Sequence, residues 1–408
     1  MREGKSHAIM LTSSFPAFHG DYRGSFVLDY ARWLELRGHA VDVVTPAGPR
    51  PTALPHWGRA TGPERPLAVG PPMLFSSLFL GAGVLDELRR RPWMAPEVPL
   101  GLAIMAHRAL ELSVTADLIV SHWLFPVALV GDLIATLRGI PHLIVEHGGG
   151  VRMVQSIPQG DRLVAGTLRR AARVQWVARH QKRWAASHGL RCHDFVMPMP
   201  PWPPDHHPDP ASLGPPSAQP RGLLWLGRMT QAKAPHHLIE ALDIIARSDN
   251  AALLSGLKVT MAGHGPLRPA LEAQARTIPG LAVNFPGEIP QDEVQKLMLQ
   301  HHTFAFTAAP PSHNQQEGTP RTLLQAMSLG RLVLAAATGG VPDQLQHNQS
   351  GLLYDPNHPE QLAHLLLQAL AKDDLHTHMV KGALKAASAA SWTALANELD
   401  HLKDQRFG

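Results

Sequence analysis

The chain has 408 residues, which exceeds the size of one ordinary hydrophobic core and predicts two domains. Its 44% apolar and 17% charged residues are typical of a globular protein and exclude a disordered or low-complexity class. A single cysteine, Cys192, excludes an internal disulfide framework and favours a reducing compartment, so we expect a cytoplasmic protein.

The net charge of +4 is unevenly distributed. Residues 1 to 200 carry 22 Lys and Arg against 15 Asp and Glu, whereas residues 201 to 408 carry 15 against 18. Six cations fall within fifteen positions: Arg169, Arg170, Arg173, Arg179, Lys182 and Arg183. This stretch is either a solvated helical face or a surface that attracts phosphates of an anionic membrane or an acidic acceptor. We expect no nucleic-acid partner.

Two stretches bear on membranes. The N-terminus has only a short apolar run, less than a signal peptide requires, and is expected to be a first strand. Residues 66 to 85 carry no charge, but prolines and glycines break them, and only Met73 to Leu85 is continuously apolar. We expect a buried loop-helix or an apolar lid that touches a lipid-like partner, with peripheral attachment to the inner face of the membrane, rather than a spanning helix.

In the first half, short apolar runs alternate with amphipathic stretches, the pattern of βαβ units in a parallel sheet. A helix with Phe26 and Tyr30 on its apolar face is predicted to stop before Gly38. The strand candidates lie at residues 7–12, 40–46, 117–123, 142–148, 174–178 and 194–198.

A proline-rich stretch at 199–220 predicts a linker, because proline disfavours both strands and helices. Its "DHHPDP" segment is poorly preorganised for metal binding. A second α/β series follows it. The predicted domains are 1–198, 221–390 and a C-terminal helix at 391–408 that packs back toward the first domain. In such sheets, ligands bind beyond the carboxyl ends of the strands.

Two strand-to-helix turns of the second domain are site candidates. Arg228 and Lys233 follow a buried strand and precede a helix, where cations and helix amides favour an anion site. Gly263 and Gly265 follow the next strand, but the final glycine of a dinucleotide fingerprint is missing, which favours a structural turn.

The stretch "EGTPRTLLQAMSLGRLVLAA", residues 317 to 336, predicts a loop, a helix and a strand. Thr319 is predicted as the N-cap and Pro320 as the first helical residue, so that Glu317 lies in the loop and Gln325 within the helix. Gln325 lies eight positions after Glu317, which corresponds to about 12 Å at helical rise, close to the reach of a sugar, a pyrophosphate and a ribose.

Two segments imitate an α/β-hydrolase. "HGGG" at 147–150 is similar to an oxyanion-hole motif, and "AMSLG" at 326–330 is similar to a nucleophile elbow. The elbow requires a strand before its serine, whereas Ser328 follows a helical run. This order argues against a hydrolase.

In order along the chain, "GRMTQAKAPHHLIEAL", "MAGHGPLR", "VNFPGEIPQDEV" and "EGTPRTLLQAMSLGRLVLAAATGGVPDQLQHNQSGLLYD" resemble the donor domain of a family 4 glycosyltransferase with the GT-B fold. "SSFPAFHGDYRGSFVLDYARWLELRGHAVDVVTP", "SHWLFPVALVG" and "EHGGGV" in the first half are similar as well. The resemblance implies two doubly wound Rossmann-like domains that face each other across a cleft.

The resemblance also implies site roles. Arg228 and Lys233 would hold the donor diphosphate, and Glu317 would bind hydroxyls of the donor hexose. His147 would lie beside the transferred sugar, and Gly24 would allow close backbone approach to donor and acceptor. His122 would line the acceptor side, although a capped strand-end histidine explains it about as well. The donor loop and helix start would contribute Gly318, Thr319, Gln325 and the amides of Leu323 and Leu324.

The implied reaction is the metal-independent transfer of a hexose, with retention at the anomeric carbon. The donor would be a nucleoside-diphosphate sugar, and the acceptor a glycan, a lipid-linked molecule or a small molecule, as in cell-envelope polysaccharide synthesis. The cations would stabilise the leaving phosphate, which would itself take the acceptor proton. No Asp-x-Asp motif is present, and we expect neither a metal nor a cofactor.

Gln325 departs from the family pattern, which has a glutamate for the ribose hydroxyls at this position. Charged hydrogen bonds contribute roughly 1 kcal/mol more than neutral ones, so glutamine predicts donor binding weaker by up to about tenfold. This departure also supports an alternative, a nucleotide-sugar-binding pseudoenzyme or partner subunit.

Overall fold

The computed structural model describes residues 6–16, 23–45, 68–69, 88, 90–206, 208, 222–310, 318–371 and 373–404. The chain divides into two compact units. The first comprises Met1–Pro198, Pro203–Asp205 and Ala396–Gly408, and the second comprises Met199–Trp202 and His206–Leu395. The first break follows Pro198, where the sequence predicts that the linker begins.

The first unit is built on a parallel sheet of seven strands in the order β3-β2-β1-β4-β5-β6-β7. The strands are short and mostly apolar, and β1 and β5 are buried along their whole length. The strands are β1 His7–Leu11, β2 Ala40–Val44, β3 Ala68–Val69, β4 Leu118–His122, β5 His142–Glu146, β6 Arg173–Trp176 and β7 Asp194–Val196.

The helices of this unit connect successive strands. They are α1 Ser25–Leu36, α2 Glu97–Leu112, α3 Val127–Arg138, α4 Gly149–Gln155, α5 Gly160–Arg170 and α6 Arg179–Ser187. Apolar side chains of α2 and α3 pack with β1 and β4, and those of α4 and α5 pack with β5 and β6. Helix α1 ends at Leu36 before Gly38, as the sequence predicts.

The second unit has a parallel sheet of six strands in the order β10-β9-β8-β11-β12-β13. Pro286 lies in the edge strand β10, next to a break in its register, where a missing backbone donor is tolerated. The strands are β8 Gly222–Leu226, β9 Lys258–Ala262, β10 Val283–Gly287, β11 Thr303–Phe306, β12 Leu332–Ala336 and β13 Leu352–Tyr354.

One continuous apolar core joins this sheet to the helices α7 to α13. These helices are α7 His236–Ala246, α8 Arg268–Ala275, α9 Val294–Leu299, α10 Arg321–Ser328, α11 Val341–Gln344, α12 Glu360–Ala371 and α13 Asp373–Ser388, and α14 Trp392–Asp404 follows them. Helix α14 starts in the second unit and continues in the first, where Asp400 pairs with Arg37.

The predicted α/β class with two doubly wound parallel sheets is confirmed. In the first sheet the strand order reverses between β1 and β4, and in the second between β8 and β11. Crevices at such switch points are the usual ligand sites of open α/β sheets. Ligand sites are therefore expected at the carboxyl ends of these strands.

Within the described residues, no helix is both long and apolar enough to cross a bilayer. Strand β3 lies in the uncharged stretch at 66–85, for which no strand was predicted. The apolar segment Met73 to Leu85 is outside the described residues.

Candidate functional site

The structure brings together two histidines that the sequence predicts as site residues. His122 ends β4, and His147 follows β5, the next strand in the sheet. Nδ1 of His122 lies 2.8 Å from Nε2 of His147, and the two rings are within 5° of parallel. One ring therefore donates an N–H hydrogen bond to the other.

Both imidazoles are held in the neutral form. Burial, together with the neighbouring His147, keeps the pKa of His122 well below its usual range. Burial lowers the pKa of His147 to about 3. Phe26 and Trp123 flank His147, with ring centroids 4.6 Å and 5.1 Å from the imidazole. The four rings form a cluster that is uncharged at neutral pH and aromatic, which suits a neutral polyhydroxylated ligand.

Glu146, the last residue of β5, is completely buried, and sequence reasoning missed it. Its carboxylate accepts four backbone N–H groups: Leu124 at 2.6 Å, Gly148 at 2.6 Å, Gly150 at 3.0 Å and Val151 at 3.2 Å. Burial raises the pKa of this carboxyl, and the four amides counteract part of that rise. The available sequence signal was a carboxylate at the end of an apolar strand, directly before His147.

Gly24 caps α1 in the left-handed conformation, with φ of 64°. A Cβ atom built here would lie 2.5 Å from the carbonyl oxygen of Ser14. The glycine is therefore required by the close approach of the backbone at Ser14. The contact predicted between Gly24 and donor or acceptor stays a prediction.

In the second unit, Arg228 and Lys233 lie in the loop after β8, at the switch point. Arg228 is exposed and Lys233 is half-buried, with its Nζ 5.4 Å from the centroid of the Phe306 ring. The Thr307 hydroxyl donates to the Lys233 carbonyl at 2.6 Å and accepts the Trp225 indole N–H at 2.8 Å. The loop that carries both cations is thereby fixed to the end of β11.

The turn after β9 lies against this cation loop. The Met229 amide donates to the His264 carbonyl at 2.9 Å, and the Gly263 amide donates to the Gly287 carbonyl at 2.6 Å. These bonds are consistent with the structural role that the missing third glycine predicts for this turn.

Helix α10 begins one residue later than predicted. Pro320 is its N-cap with an extended ψ of 120°, so Thr319 lies outside the helix and Arg321 is the first helical residue. The amides of Leu323 and Leu324 donate to the Pro320 carbonyl at 3.1 Å and 3.4 Å. For the predicted contact with the donor, each of these two amides would have to donate to the Pro320 carbonyl and to the ligand at the same time.

Of the loop before α10, the structure describes residues 318–320. Gly318 accepts the Gly340 amide at 3.0 Å, which connects the donor loop to the turn after β12. Glu317 lies outside the described residues, and its predicted role stays a prediction.

Gln325 is 2% exposed, and its side-chain amide donates to the Pro201 carbonyl at 2.9 Å. Arg321 donates to the same carbonyl at 2.9 Å, and Trp202 donates its indole N–H to the Ser328 hydroxyl at 2.7 Å. One face of α10 therefore binds residues 201–202. The ribose contact predicted for Gln325 is not tested by these bonds.

The two hydrolase-like segments lack the expected geometry. The amides of Gly148 and Gly150 are directed at the Glu146 carboxylate, which occupies the place of an oxyanion. Ser328 ends a helix, and its hydroxyl donates to the Gln325 carbonyl at 2.9 Å. A nucleophile elbow would have a strand before this serine and a base beside it.

Within the part of the chain that the structure describes, no three His, Cys, Asp or Glu side chains are grouped closely enough to hold a metal ion. Absence of a metal requirement stays a prediction.

Comparison with known proteins bears on the second unit. Residues 215–386, which include both Arg228 and Lys233, match the family model described as Glycosyl transferases group 1. This segment is a glycosyl transferases group 1 domain.

The curated relatives are similar to this chain over part of their length. The D-inositol 3-phosphate glycosyltransferase of Thermobispora bispora is 31% identical over 188 residues, which cover 45% of this chain and 42% of the relative. The amylovoran biosynthesis glycosyltransferase AmsK of Erwinia amylovora is 28% identical over 155 residues, which cover 37% of this chain and 36% of the relative. The chain thus matches less than half the length of these relatives.

Solved structures resemble the chain along nearly its whole length. Anabaena Alr3699/HepE in complex with UDP has a TM-score of 0.68 at 16% identity and covers 98% of this chain and 100% of its own. Sucrose-phosphate synthase from Thermosynechococcus elongatus has a TM-score of 0.69 at 17% identity and covers 98% and 99%. The fold around the glycosyl transferases group 1 domain is GT-B, as predicted.

Proposed function

We propose that this chain is a glycosyltransferase that moves a hexose-type sugar from a nucleoside-diphosphate sugar to a hydroxyl of a glycan, lipid-linked or small-molecule acceptor. The observation that carries the proposal is the position of Arg228 and Lys233 at the switch point of the second sheet, inside the glycosyl transferases group 1 domain. The similarity to two proteins named as glycosyltransferases supports the same activity.

In the proposed reaction, the bond between the anomeric carbon and the diphosphate oxygen breaks, and a bond from that carbon to the acceptor oxygen forms. The acceptor proton passes to the leaving phosphate, so the products are the glycoside and a protonated nucleoside diphosphate. Arg228 and Lys233 would offset the charge that develops on the leaving group. Glu317 would bind the sugar hydroxyls, and neutral His147 would contact the transferred sugar. Retention and metal independence are part of the proposal.

In the proposal, the amides of Leu323 and Leu324 at the start of α10 contact the phosphate or the ribose, in addition to their bonds to the Pro320 carbonyl. Positive charge from the helix start would add to that of the two cations.

Thermal denaturation with UDP, GDP and ADP tests the donor site. A nucleotide that binds only the folded chain raises the melting temperature, and we expect one diphosphate to do so with EDTA present. No shift with any of the three contradicts the donor site. NMR of the product formed from the corresponding nucleotide sugar gives the anomeric configuration.

The second candidate is a protein that binds a nucleotide sugar without transferring the sugar. It is favoured because Gln325 stands where the family pattern has a glutamate and its side-chain amide donates to the Pro201 carbonyl. Binding without release of nucleoside diphosphate from any nucleotide sugar favours this candidate. Turnover excludes it.

We also propose that the protein is cytoplasmic and attaches peripherally to anionic membranes. Exposed leucines on α3 and α5, at Leu133, Leu137 and Leu163, accompany the exposed Arg169 and Arg183. Arg170 and Lys182 are paired with Asp132 and Asp194, which reduces their contribution. Co-sedimentation should be stronger with phosphatidylglycerol vesicles than with phosphatidylcholine vesicles, and equal binding contradicts the attachment.

A further inference from the structure

We propose that Glu146 is a positioning residue for His147: a buried anion that ties the loop carrying His147 to the loop that follows His122 and Trp123. The inference rests on the proposed function, because that function gives His147 its contact with the transferred sugar.

The two carboxylate oxygens have separate partners. Oε2 accepts the amide of Leu124, in the loop after β4, at 2.6 Å. Oε1 accepts the amides of Gly148, Gly150 and Val151, at the start of α4, at 2.6, 3.0 and 3.2 Å. A single side chain therefore joins loops from two neighbouring strands.

A buried carboxylate requires donors, because a charge without partners is costly in an apolar interior. Glu146 is bound by four backbone N–H groups of these two loops, so its charge is compensated only while both loops keep their conformation. Gly150 gives it the necessary space: a Cβ atom at this position would lie 2.3 Å from Oε2 of Glu146 and 2.6 Å from the Leu124 amide nitrogen.

His147 is connected to both loops. Its backbone lies between Glu146 and Gly148, while its Nε2 is 2.8 Å from Nδ1 of His122 on the other strand. A change in the separation of the two loops therefore turns or releases the imidazole. Misplacement of a catalytic group by 1 Å can reduce the rate about a hundredfold.

Glu146→Gln is the sharpest perturbation, because it keeps the side-chain volume. Its carbonyl oxygen can still accept the amides at the start of α4, but its NH2 group then faces the Leu124 N–H, donor against donor. We expect this variant to weaken the connection to the β4 loop selectively.

The assay measures release of nucleoside diphosphate from UDP-glucose, UDP-galactose, UDP-N-acetylglucosamine and GDP-mannose, using the donor that the wild-type chain turns over fastest. For Glu146→Gln we expect kcat to fall at least about tenfold, with donor KM and the Kd of free diphosphate within about twofold of wild type. The ring nitrogen resonances of His122 and His147 should shift in ¹⁵N-histidine spectra. Their assignments come from His122→Asn and His147→Asn.

Asp132→Asn is the matched control. Asp132 is another buried carboxylate of the first unit, but it binds Thr167 and Arg170 on α5. Its substitution should reduce the melting temperature without changing kcat or the two histidine resonances. Gly150→Ala is a second route to the same defect if Glu146→Gln does not fold, and Gly166→Ala on α5 is its control.

The inference is overturned if Glu146→Gln or Gly150→Ala folds with kcat and both ring resonances as in wild type. It is also overturned if Asp132→Asn loses kcat in proportion to its loss of melting temperature, because the role is then only structural. Failure of the proposed function has another signature: the wild-type chain releases no diphosphate from any of the four donors. The ring resonances still test the positioning of His147 in that case.

Discussion

The substitution Gln325→Glu distinguishes two roles for Gln325: a contact with the ribose of the donor, and a structural hydrogen bond to Pro201. The family resemblance assigns position 325 to the ribose and predicts tighter nucleotide binding when glutamate is restored. In the structure, the Gln325 amide donates to the Pro201 carbonyl at 2.9 Å and is almost completely buried. Glutamate cannot donate this bond, and its carboxylate would face a carbonyl oxygen.

The cost of the change follows from those contacts. Leaving a buried polar group without its partner costs about 1 to 3 kcal/mol, and the charge adds to this cost. In a domain of this size, 1 kcal/mol lowers the melting temperature by roughly 2 to 4 °C. We therefore expect the second unit of Gln325→Glu to melt at least about 2 °C lower, with no gain in nucleotide affinity.

The assay combines scanning calorimetry with titration calorimetry of UDP, or of whichever diphosphate the wild-type chain binds. Gln274→Glu, on the exposed face of α8, makes the same chemical change and should alter neither quantity. An unchanged melting temperature together with affinity up to about tenfold tighter refutes the structural reasoning and supports the ribose contact.

Further predictions concern the two cations of the donor site, the buried His142 and Ser328. Arg228→Ala and Lys233→Ala should each weaken diphosphate binding by about tenfold to a hundredfold in titration calorimetry, whereas exposed Arg276→Ala should not. Burial lowers the pKa of His142 to about 4, so between pH 6.5 and 4 the unfolded chain binds more protons and stability falls as the pH falls. Denaturant unfolding at a series of pH values should show this loss as a fall in the free energy of unfolding. In His142→Asn the fall should be smaller by up to about 1.4 kcal/mol per pH unit, and the same pH dependence in both proteins contradicts the prediction. A fluorophosphonate should leave Ser328 unlabelled.

Local patterns predicted most of the secondary structure because each buried strand is a short apolar run between turn residues. Strand β3 was missed because two residues carry no periodic signal. The start of α10 was misplaced because proline fits both the N-cap and the first helical position.

The site was predictable only where chemistry and chain position coincide. Arg228, Lys233 and His147 follow strand ends, which the sequence locates. The partners of Glu146 and Gln325 depend on folding, since Leu124 and Pro201 are 22 and 124 residues away. A local pattern cannot show that a carboxylate will bind the backbone of a neighbouring loop.

Release of nucleoside diphosphate from a panel of nucleotide sugars, with EDTA present, tests the central proposal most directly. The wild-type chain should release diphosphate from at least one donor, and the double variant Arg228→Ala/Lys233→Ala should lose that release while remaining folded. Release by the double variant at the wild-type rate, or no release by the wild-type chain from any donor and with any acceptor, contradicts the proposal.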